Sequence, residues 1–429
     1  MTHDIGLQAG ERLDDRLTIL SPDDGALVIQ GGTVLDGLGG RTEDATVFVE
    51  AMRVTRLEPG IAEVPEGVTV IDAAGATVMP GLIDLHIHFM GRNEPEPSLD
   101  HLRPSHEMKF LRAAFEFSQT LASGVTTVRA LGHGPAEHAY ALREARRAGL
   151  LRGPRMQTSG WALSQTRGHG DVPSLPYAWV EQDRPRSTFC DGALDCRKAV
   201  RRNFGEGADV IKVYASNNRT GRPNFTADEL EAIVDEAHRR GKRVAAHAKT
   251  YEGVRNAVLA GIDTIEHGPD EVHQDLIELM LERGTYLVPT LATVELLAVD
   301  GVAWGASPQT IERARREYEG RLTMVAECHR QGVPVGVGSD TGARAGYGRL
   351  CARELQLLTH AGMTPADAIR SGTSVSARAM DLDVEIGALT PGRLAELIVV
   401  EGDVEHDIAL LQDRTNLRAI VQASAQLTN

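Results

Sequence analysis

The sequence predicts an α/β protein in which a (β/α)8 barrel of the TIM type is joined to a small β-sandwich formed from both chain ends. Three observations support this prediction: a length of 429 residues, short apolar runs alternating with amphipathic segments through the middle of the chain, and β-like texture at both ends. We expect the sandwich to comprise residues 1–80 and 381–429, and the barrel to comprise residues 81–380.

The two ends of the chain read as short strands separated by Gly, Asp and Pro. The segments "ALVIQGGTVLDG", "ATVFVEAMRVTRLEP" and "VTVIDAAGATVMPG" open the chain, and "IGALTPGRLAELIVVEGD" lies near its end. The simplest arrangement pairs both ends in one β domain, from which the barrel emerges and to which it returns.

The central region contains eight candidate strands, which is the number that a closed (β/α) barrel requires. These are the run ending at His88 and residues 126–131, 155–159, 210–214, 244–247, 264–267, 286–290 and 335–340. The intervening segments read as helices. In "TADELEAIVDEAHRRGK", Thr226 is a candidate N-cap and Glu229 follows three residues later, as in a capping box.

Composition excludes several classes of protein. A formal net charge of -15 disfavours binding to nucleic acid, which depends on clustered Lys and Arg. The sequence has no stretch of about 20 apolar residues that could span a bilayer. The cysteines form no CxxC pair, so neither a zinc ribbon nor a disulfide framework is indicated, and a cytoplasmic location is expected. They are Cys190, Cys196, Cys328 and Cys351.

Polar residues that could bind a metal fall in five candidate strands, one of which contains Lys212. His86 and His88 close the first strand, and at positions i and i+2 of an extended segment both side chains point to one face. His247, His267 and Asp340 each end a short apolar run. Taken singly, each histidine reads as structural and Asp340 as a helix cap. Together they form an N/O-rich set at the strand ends where barrel active sites are built.

Lys212 is embedded in the apolar strand "GADVIKVYAS". Burial of an ammonium without a partner is costly, so this lysine requires an explanation. One interpretation is a salt bridge inside the barrel, or a side chain that extends to the rim. The other is carboxylation by CO2, which converts the cation into a carbamate whose two oxygens can bridge two metal ions.

The sequence resembles the amidohydrolase superfamily, in particular its imidazolonepropionase-like and Xaa-Pro dipeptidase-like branch. The resemblance covers almost the whole chain and rests on motifs in family order. They are "VMPGLIDLHIH", "LASGVTTVRALG", "DVIKVYAS", "RVAAHA", "GIDTIEHG", "VGVGSDTG", "GMTPADAIRSGTSVSARAM" and "IGALTPGRLAELIVV".

The resemblance implies two divalent metal ions, with zinc as the default and manganese, cobalt or iron also compatible with the ligands. It further implies a homo-oligomer. The implied ligands are His86 and His88 for the first metal, a carboxylated Lys212 as the bridge, His247 and His267 for the second metal, and Asp340 as both ligand and proton shuttle.

Three places depart from the family pattern and bear on the substrate. The usual Arg-Asp reads Arg129-Ala130, a Gly pair is replaced around Arg167, and an expected Ser-Gly-Gly reads Ser-Asn217-Asn218.

For substrate contacts we expect His169 and Tyr214, with Arg167 as an anion binder. The alternative is that Tyr214 packs in the core and His169 only shapes a loop. Arg103 and His106 could reach over the pocket as a lid.

The expected activity is hydrolysis of a C–N bond in a small amide by a metal-bridging hydroxide, with Asp340 moving the proton. Candidate substrates are an N-acyl amino acid, a dipeptide, or a xenobiotic such as a carbamate, thiocarbamate or phenylurea. The alternatives are a cyclic-amide hydrolase of the imidazolonepropionase type and a mononuclear aminohydrolase (deaminase). Lys212 argues against the deaminase. A binding protein that has lost its metals is disfavoured by the complete ligand set.

Overall fold

The computed structural model describes residues 17–20, 25–89, 105–132, 134–171, 187–218, 220–342 and 348–423. The strands are β1 (Thr18–Leu20), β2 (Leu27–Leu35), β3 (Arg41–Glu50), β4 (Arg53–Pro59), β5 (Thr69–Asp72), β6 (Ala76–Pro80), β7 (Leu82–Ile87), β8 (Val125–Ala130), β9 (Arg155–Thr158), β10 (Ala162–Ser164), β11 (Ser187–Phe189), β12 (Ile211–Tyr214), β13 (Ser216–Asn217), β14 (Arg222–Pro223), β15 (Val244–Ala248), β16 (Thr264–His267), β17 (Tyr286–Val288), β18 (Leu397–Glu401) and β19 (Leu417–Val421).

The helices follow the strands through the middle of the chain, giving an α/β protein. They are α1 (His106–Leu121), α2 (Ala136–Arg147), α3 (Ala193–Glu206), α4 (Ala227–His238), α5 (Tyr251–Leu259), α6 (Gln274–Arg283), α7 (Leu291–Asp300), α8 (Pro308–Gln331), α9 (Arg349–His360), α10 (Pro365–Arg370) and α11 (Ser376–Ala379). The predicted capping box at the start of α4 is confirmed, since Thr226 and Glu229 bond reciprocally there. Within the described ranges, no helix combines the length and the apolar character needed to cross a membrane.

One sheet combines the two ends of the chain. Its strands run in the order β1-β19-β18-β6-β2-β3-β4, with β5 paired to β2. Strand β18, from the C-terminal end, pairs with β6, which leads directly into β7. Buried aliphatic side chains such as Ile29, Val47 and Val399 form the core of this sheet. The N-terminal and C-terminal strands therefore pair in one sheet, next to the start of the central region.

The central strands are parallel and form two sheets, β7-β8-β9 and β11-β10-β12-β15-β16-β17. On one side the sheets approach each other where the amide of Asp209, just before β12, donates to the carbonyl of Thr158 in β9 at 2.8 Å. On the other side the segment 334–341 lies between β17 and β7. There the amide of Leu287 donates to the carbonyl of Pro334 at 2.9 Å, and the amide of Leu85 donates to the carbonyl of Val337 at 2.8 Å.

Several predicted strands differ from the observed ones. The predicted strand 335–340 is not a regular strand: isolated bridges occur at Val335 and at Thr341, the residue after its end. The predicted strand 286–290 stops at Val288, because Thr290 adopts a left-handed φ of 51° that a strand cannot continue through. The third predicted strand, 155–159, is followed by β10 and β11, which the sequence pattern did not reveal.

Candidate metal centre

The strand ends bring all the predicted metal-binding residues to one cavity of about 360 Å³. His86 lies near the end of β7, Lys212 lies within β12, and His267 is the last residue of β16. The cavity lining includes His86, His88, Lys212, His247, His267 and Asp340, together with the predicted substrate contacts His169 and Tyr214. This edge of the parallel strands is where loops converge in α/β proteins.

Three of these residues are close enough to share one ion. Ligand atoms of His86, His267 and Asp340 all lie within 4.8 Å of one another. Asp340 Oδ1 lies 3.1 Å from His88 Nε2 and 3.6 Å from His86 Nε2. Imidazole nitrogen and carboxylate oxygen are ligands that zinc and related divalent metals accept.

The first two histidines are oriented by acceptors behind them. His86 Nδ1 lies 2.8 Å from Glu266 Oε2, and His88 Nδ1 lies 2.9 Å from the carbonyl of Gly132. A carbonyl only accepts hydrogen bonds, and the nearby Arg129 keeps Glu266 ionised despite its burial, so Nδ1–H is the donor in both rings. The lone pair of each ring is therefore on Nε2, the atom nearest Asp340.

Glu266 was not predicted as a site residue, yet it lies at the centre of a buried network. Its Oε1 accepts from Arg129 Nη2 at 2.8 Å and from Thr264 Oγ1 at 2.5 Å. Burial alone would raise the pKa of Glu266, but Arg129 and His86 outweigh it and hold the pKa at about 2. Arg129, which precedes the departure from the family pattern at Ala130, thus acts through Glu266 on the ring of His86.

The two other histidines also have polar partners. His267 Nδ1 lies 2.7 Å from Thr290 Oγ1, which also accepts from Arg321 Nη1 at 3.3 Å. His247 Nε2 lies 2.8 Å from Asn218 Oδ1. The pKa values of both rings are well below the ordinary histidine value, mainly because burial disfavours the charged form. Neutral rings are the form that binds metal.

Lys212 is the residue that fits least well as an ordinary side chain. It is 1 % exposed, and among the described residues its Nζ has no hydrogen-bond partner. Burial lowers its pKa to about 8, although Glu266 and Asp340 favour the charged form. A buried amine without a hydrogen-bond partner, beside four imidazoles and a carboxylate, fits a role as metal ligand after carboxylation. The carbamate would supply oxygen ligands to a metal, whereas burial of the free amine only costs free energy.

Asp340 is ionised in this environment. Burial raises the pKa of its carboxyl, but His86, His88 and Lys212 outweigh burial and hold the pKa far below the ordinary aspartate value. Its backbone has a left-handed φ of 52°, His267 has 74° and Thr290 has 51°. Such conformations cost a non-glycine residue roughly 1–3 kcal/mol and occur where surrounding structure imposes them, often at functional sites.

The predicted substrate contacts divide into two groups. His169 and Tyr214 line the cavity, and the ring of His169 stacks on that of His247 with centroids 4.2 Å apart. Arg167 is not among the lining residues, because its Nη1 pairs with the buried Asp171 at 3.3 Å. Of the predicted lid, Arg103 lies outside the described residues, and His106 contacts His138 of α2 at 3.2 Å rather than the cavity.

One wall of the cavity was not predicted at all. It is formed by α7 and α8, which follow β17, and by the end of β15. Its residues are Lys249, Thr293, Val294, Leu297, Thr310, Arg313, Ala314, Glu317 and Arg321. In the sequence, residues 291–331 resemble ordinary amphipathic surface helices. The sequence signal for this wall was the four-residue spacing of Arg313, Glu317 and Arg321. That spacing places the three side chains on one face of a helix.

Comparison with known proteins agrees with this geometry. The sequence profile of the amidohydrolase family matches residues 77–424, which is most of the chain. The chain belongs to the amidohydrolase family. The predicted resemblance is thereby confirmed, and the protein is a hydrolase acting on carbon–nitrogen bonds.

Individual members of the amidohydrolase family align over nearly all of the chain. Ochratoxinase from Aspergillus niger is 30 % identical over 431 aligned positions, covering 92 % of this chain and 86 % of the relative. A crystal structure of a Xaa-Pro dipeptidase has a TM-score of 0.81 at 27 % identity and covers 92 % of this chain and 99 % of its own. A prolidase complexed with N-methylphosphonate-L-proline has a TM-score of 0.81 at 30 % identity, with coverages of 92 % and 98 %.

Proposed function

We propose that this amidohydrolase hydrolyses the C–N bond of a small amide in a site that holds two divalent metal ions. The observation that carries the proposal is the buried amine of Lys212, without a hydrogen-bond partner among the described residues, in a cavity lined by four histidines and Asp340. Carboxylation by CO2 would convert this amine into an anion that joins the two metals.

The ligand assignment follows the chemistry of each side chain. When bound, the metal ions, zinc by default, would polarise the scissile carbonyl and lower the pKa of water toward about 7. The residues that would hold them are His86 and His88 for one metal, His247 and His267 for the other, Lys212 as the bridging carbamate and Asp340 as a further ligand.

The protein's own groups then handle the proton and the substrate. Asp340, ionised at neutral pH, accepts the proton of the attacking water and returns it to the leaving nitrogen. The backbone amide of Asn218 donates to His169 Nδ1 at 3.4 Å. In a neutral His169 ring this leaves the proton on Nε2, where it can donate to a carbonyl oxygen of the substrate. Tyr214 borders the same space.

The finer features of the fold are part of this proposal. The parallel strands and the segment 334–341 are proposed to be a (β/α)8 barrel, and the sheet of both chain ends is proposed to be the small β-sandwich. A homo-oligomer and a cytoplasmic location are likewise proposed. The family relatives bear the names ochratoxinase, Xaa-Pro dipeptidase and prolidase, which favours N-acyl amino acids and dipeptides among the candidate substrates.

The test is the metal content per chain, measured by elemental analysis on protein purified without chelators. We expect about two equivalents, which fall sharply in Lys212→Ala and stay unchanged in Lys242→Ala, a change at an exposed lysine. The preparation with two metals should hydrolyse members of a panel of N-acyl amino acids, dipeptides, carbamates, thiocarbamates and phenylureas. A content of about one equivalent that Lys212→Ala leaves unchanged would contradict the bridged pair and favour a mononuclear aminohydrolase.

A further inference from the structure

The wall formed by α7, α8 and Lys249 carries an excess of positive charge facing the cavity. Lys249, Arg313 and Arg321 are the cations that line it, and Glu317 is the one carboxylate among the lining residues that belong to this wall. Arg313, Glu317 and Arg321 are spaced four residues apart on α8, so all three lie on the face of that helix turned to the cavity.

Glu317 already has two partners. It forms ion pairs with both Lys249 and Arg321. Burial would raise the pKa of Glu317, but Arg321 and Lys249 outweigh it and keep the carboxylate ionised. The single carboxylate of Glu317 is therefore shared between two cations, Lys249 and Arg321.

Arg313 is the third cation of this wall, and Glu317 pairs with the other two. It lines the cavity, is exposed, and forms no ion pair within 4 Å in the described part of the chain, although it lies near enough to Glu317 to help lower the pKa of that carboxyl. A guanidinium binds a carboxylate through two parallel hydrogen bonds, a geometry that a lysine ammonium cannot reproduce. Lys249 and Arg321, only partly neutralised by Glu317, add to the positive potential around it.

The positions of Arg321 and Arg313 along the wall define two ends for a bound substrate. Arg321 lies at the metal end, because it donates to Thr290, the partner of His267. Arg313 is eight residues earlier, roughly 12 Å along the helix axis at 1.5 Å per residue. Val294, Leu297 and Ala314 add apolar surface to the same lining. An amide at the metal ligands would therefore have apolar lining on this wall and Arg313 farther along α8.

We propose that the substrate carries a carboxylate on an apolar portion beyond the scissile C–N bond, and that Arg313 binds this carboxylate. The inference rests on the proposed function and narrows it. N-acyl amino acids and dipeptides have such a group, whereas thiocarbamates and phenylureas lack it. Arg313 takes the role that the sequence suggested for Arg167, and it is a specificity-determining residue rather than a catalytic one.

The experiment compares matched substrates with and without the carboxylate. N-acetyl amino acids and dipeptides with apolar side chains are each paired with the amide that lacks only the carboxyl group, such as N-acetyl-phenylalanine and N-acetyl-phenethylamine. The wild-type metal-loaded enzyme should prefer the acid of each pair in kcat/KM. Arg313→Gln should raise KM for the acids roughly 10- to 100-fold, as expected for loss of a hydrogen bond to a charged group, and should raise it much less for the neutral partners.

Two further variants separate charge from geometry. Arg313→Lys keeps the charge but not the paired hydrogen bonds, so its KM for the acids should lie between those of wild type and Arg313→Gln. Arg316→Gln is the control, because Arg316 is on the same helix, is exposed, pairs with Glu312 at 3.5 Å and does not line the cavity. Arg316→Gln should retain the preference of the wild type for the acids.

The possible failures are distinguishable. Equal kcat/KM for acids and neutral partners, or a preference that Arg313→Gln leaves intact, would overturn the role of Arg313. Turnover confined to neutral carbamates or phenylureas would also overturn it while leaving the proposed function standing. If the enzyme loaded with two metals hydrolyses no amide of either kind, the proposed function fails and this inference fails with it.

Discussion

At the scale of single residues, Asn218 is the side chain that sets the orientation of His247. Its Oδ1 lies 2.8 Å from His247 Nε2, so the ring donates Nε2–H and keeps its lone pair on Nδ1. The resemblance led us to expect glycine in this stretch, and glycine has no side chain that could make this contact. Partners of this type hold a metal ligand in one tautomer and raise its basicity.

We predict that Asn218→Leu lowers zinc affinity roughly tenfold, at the lower end of the range for such partners. The measurement is competition with a chelator of known affinity at pH 7. Asn218→Asp is the matched variant, since a carboxylate can only accept, and it should bind zinc at least as tightly as the wild type. Loss of affinity in Asn218→Asp would mean that the asparagine donates to the ring, which reverses the tautomer inferred here.

Some residues of the site could be predicted from the sequence, and others could not. The cavity-lining His86, Lys212 and Asp340 could be predicted because ionisable residues recur in several candidate strands, although each of them taken singly has an ordinary structural explanation. Glu266 and Asn218 could not, because their roles arise from contacts with His86 and His247, far away in the chain. A sequence displays the type of each residue, but not which distant ring it will meet.

At the scale of elements, the segment 334–341 depends on glycine to fit between β17 and β7. A Cβ on Gly338 would lie 2.4 Å from Val288 Cγ1 and 2.8 Å from His86 Cβ. Both neighbours belong to packed strands, so neither can move away cheaply. Only glycine at this position lets the segment carry Asp340 to His86.

We predict that Gly338→Ala lowers the free energy of unfolding by about 1–3 kcal/mol, the usual cost of overpacking, and weakens metal binding by displacing His86. Urea unfolding and metal analysis measure the two effects. Gly205→Ala is the control, because Gly205 lies in α3 and an added Cβ meets nothing within 4 Å. It should raise stability by roughly 0.5–1 kcal/mol. Equal effects of the two substitutions would show that the close contact at Gly338 does not matter.

Elements with strong periodicity were predictable, and those determined by tertiary contacts were not. Strand β16 and the capped helix α4 follow from local pattern alone. The early end of β17 depends on Thr290, whose left-handed conformation is imposed by its surroundings rather than by its residue type. The segment 334–341 reads as a strand, but its glycines pack too closely against β7 and β17 for a regular ladder.

At the scale of the whole molecule, the buried histidines make one contribution to the dependence of stability on pH. Burial lowers the pKa of His86 and His138 to about 4, and it lowers the pKa values of His247 and His267 as well. In the unfolded chain these rings have ordinary pKa values near 6.5. Between about pH 6.5 and pH 4 these rings therefore bind more protons in the unfolded state, so their contribution to stability falls as the pH falls through this window. The buried carboxyl groups of Asp84 and Glu354, whose pKa values burial raises to about 6 and about 8, act in the opposite direction.

His138 isolates this effect from the metal site. It lies in α2, is 2 % exposed, and is surrounded by His106 and Lys109, which lower its pKa further, and by Glu137, which opposes them. We predict that metal-free wild type loses at least about 1 kcal/mol more stability between pH 7 and pH 5 than His138→Gln does. Urea unfolding in the presence of a chelator measures both proteins. At pH 7, where the ring is mainly neutral in both states, the substitution reports only its packing cost, so the two pH values separate packing from proton binding. If wild type and variant lose equal stability over this range, the ring of His138 is protonated in the folded protein at pH 5, and burial does not control its pKa.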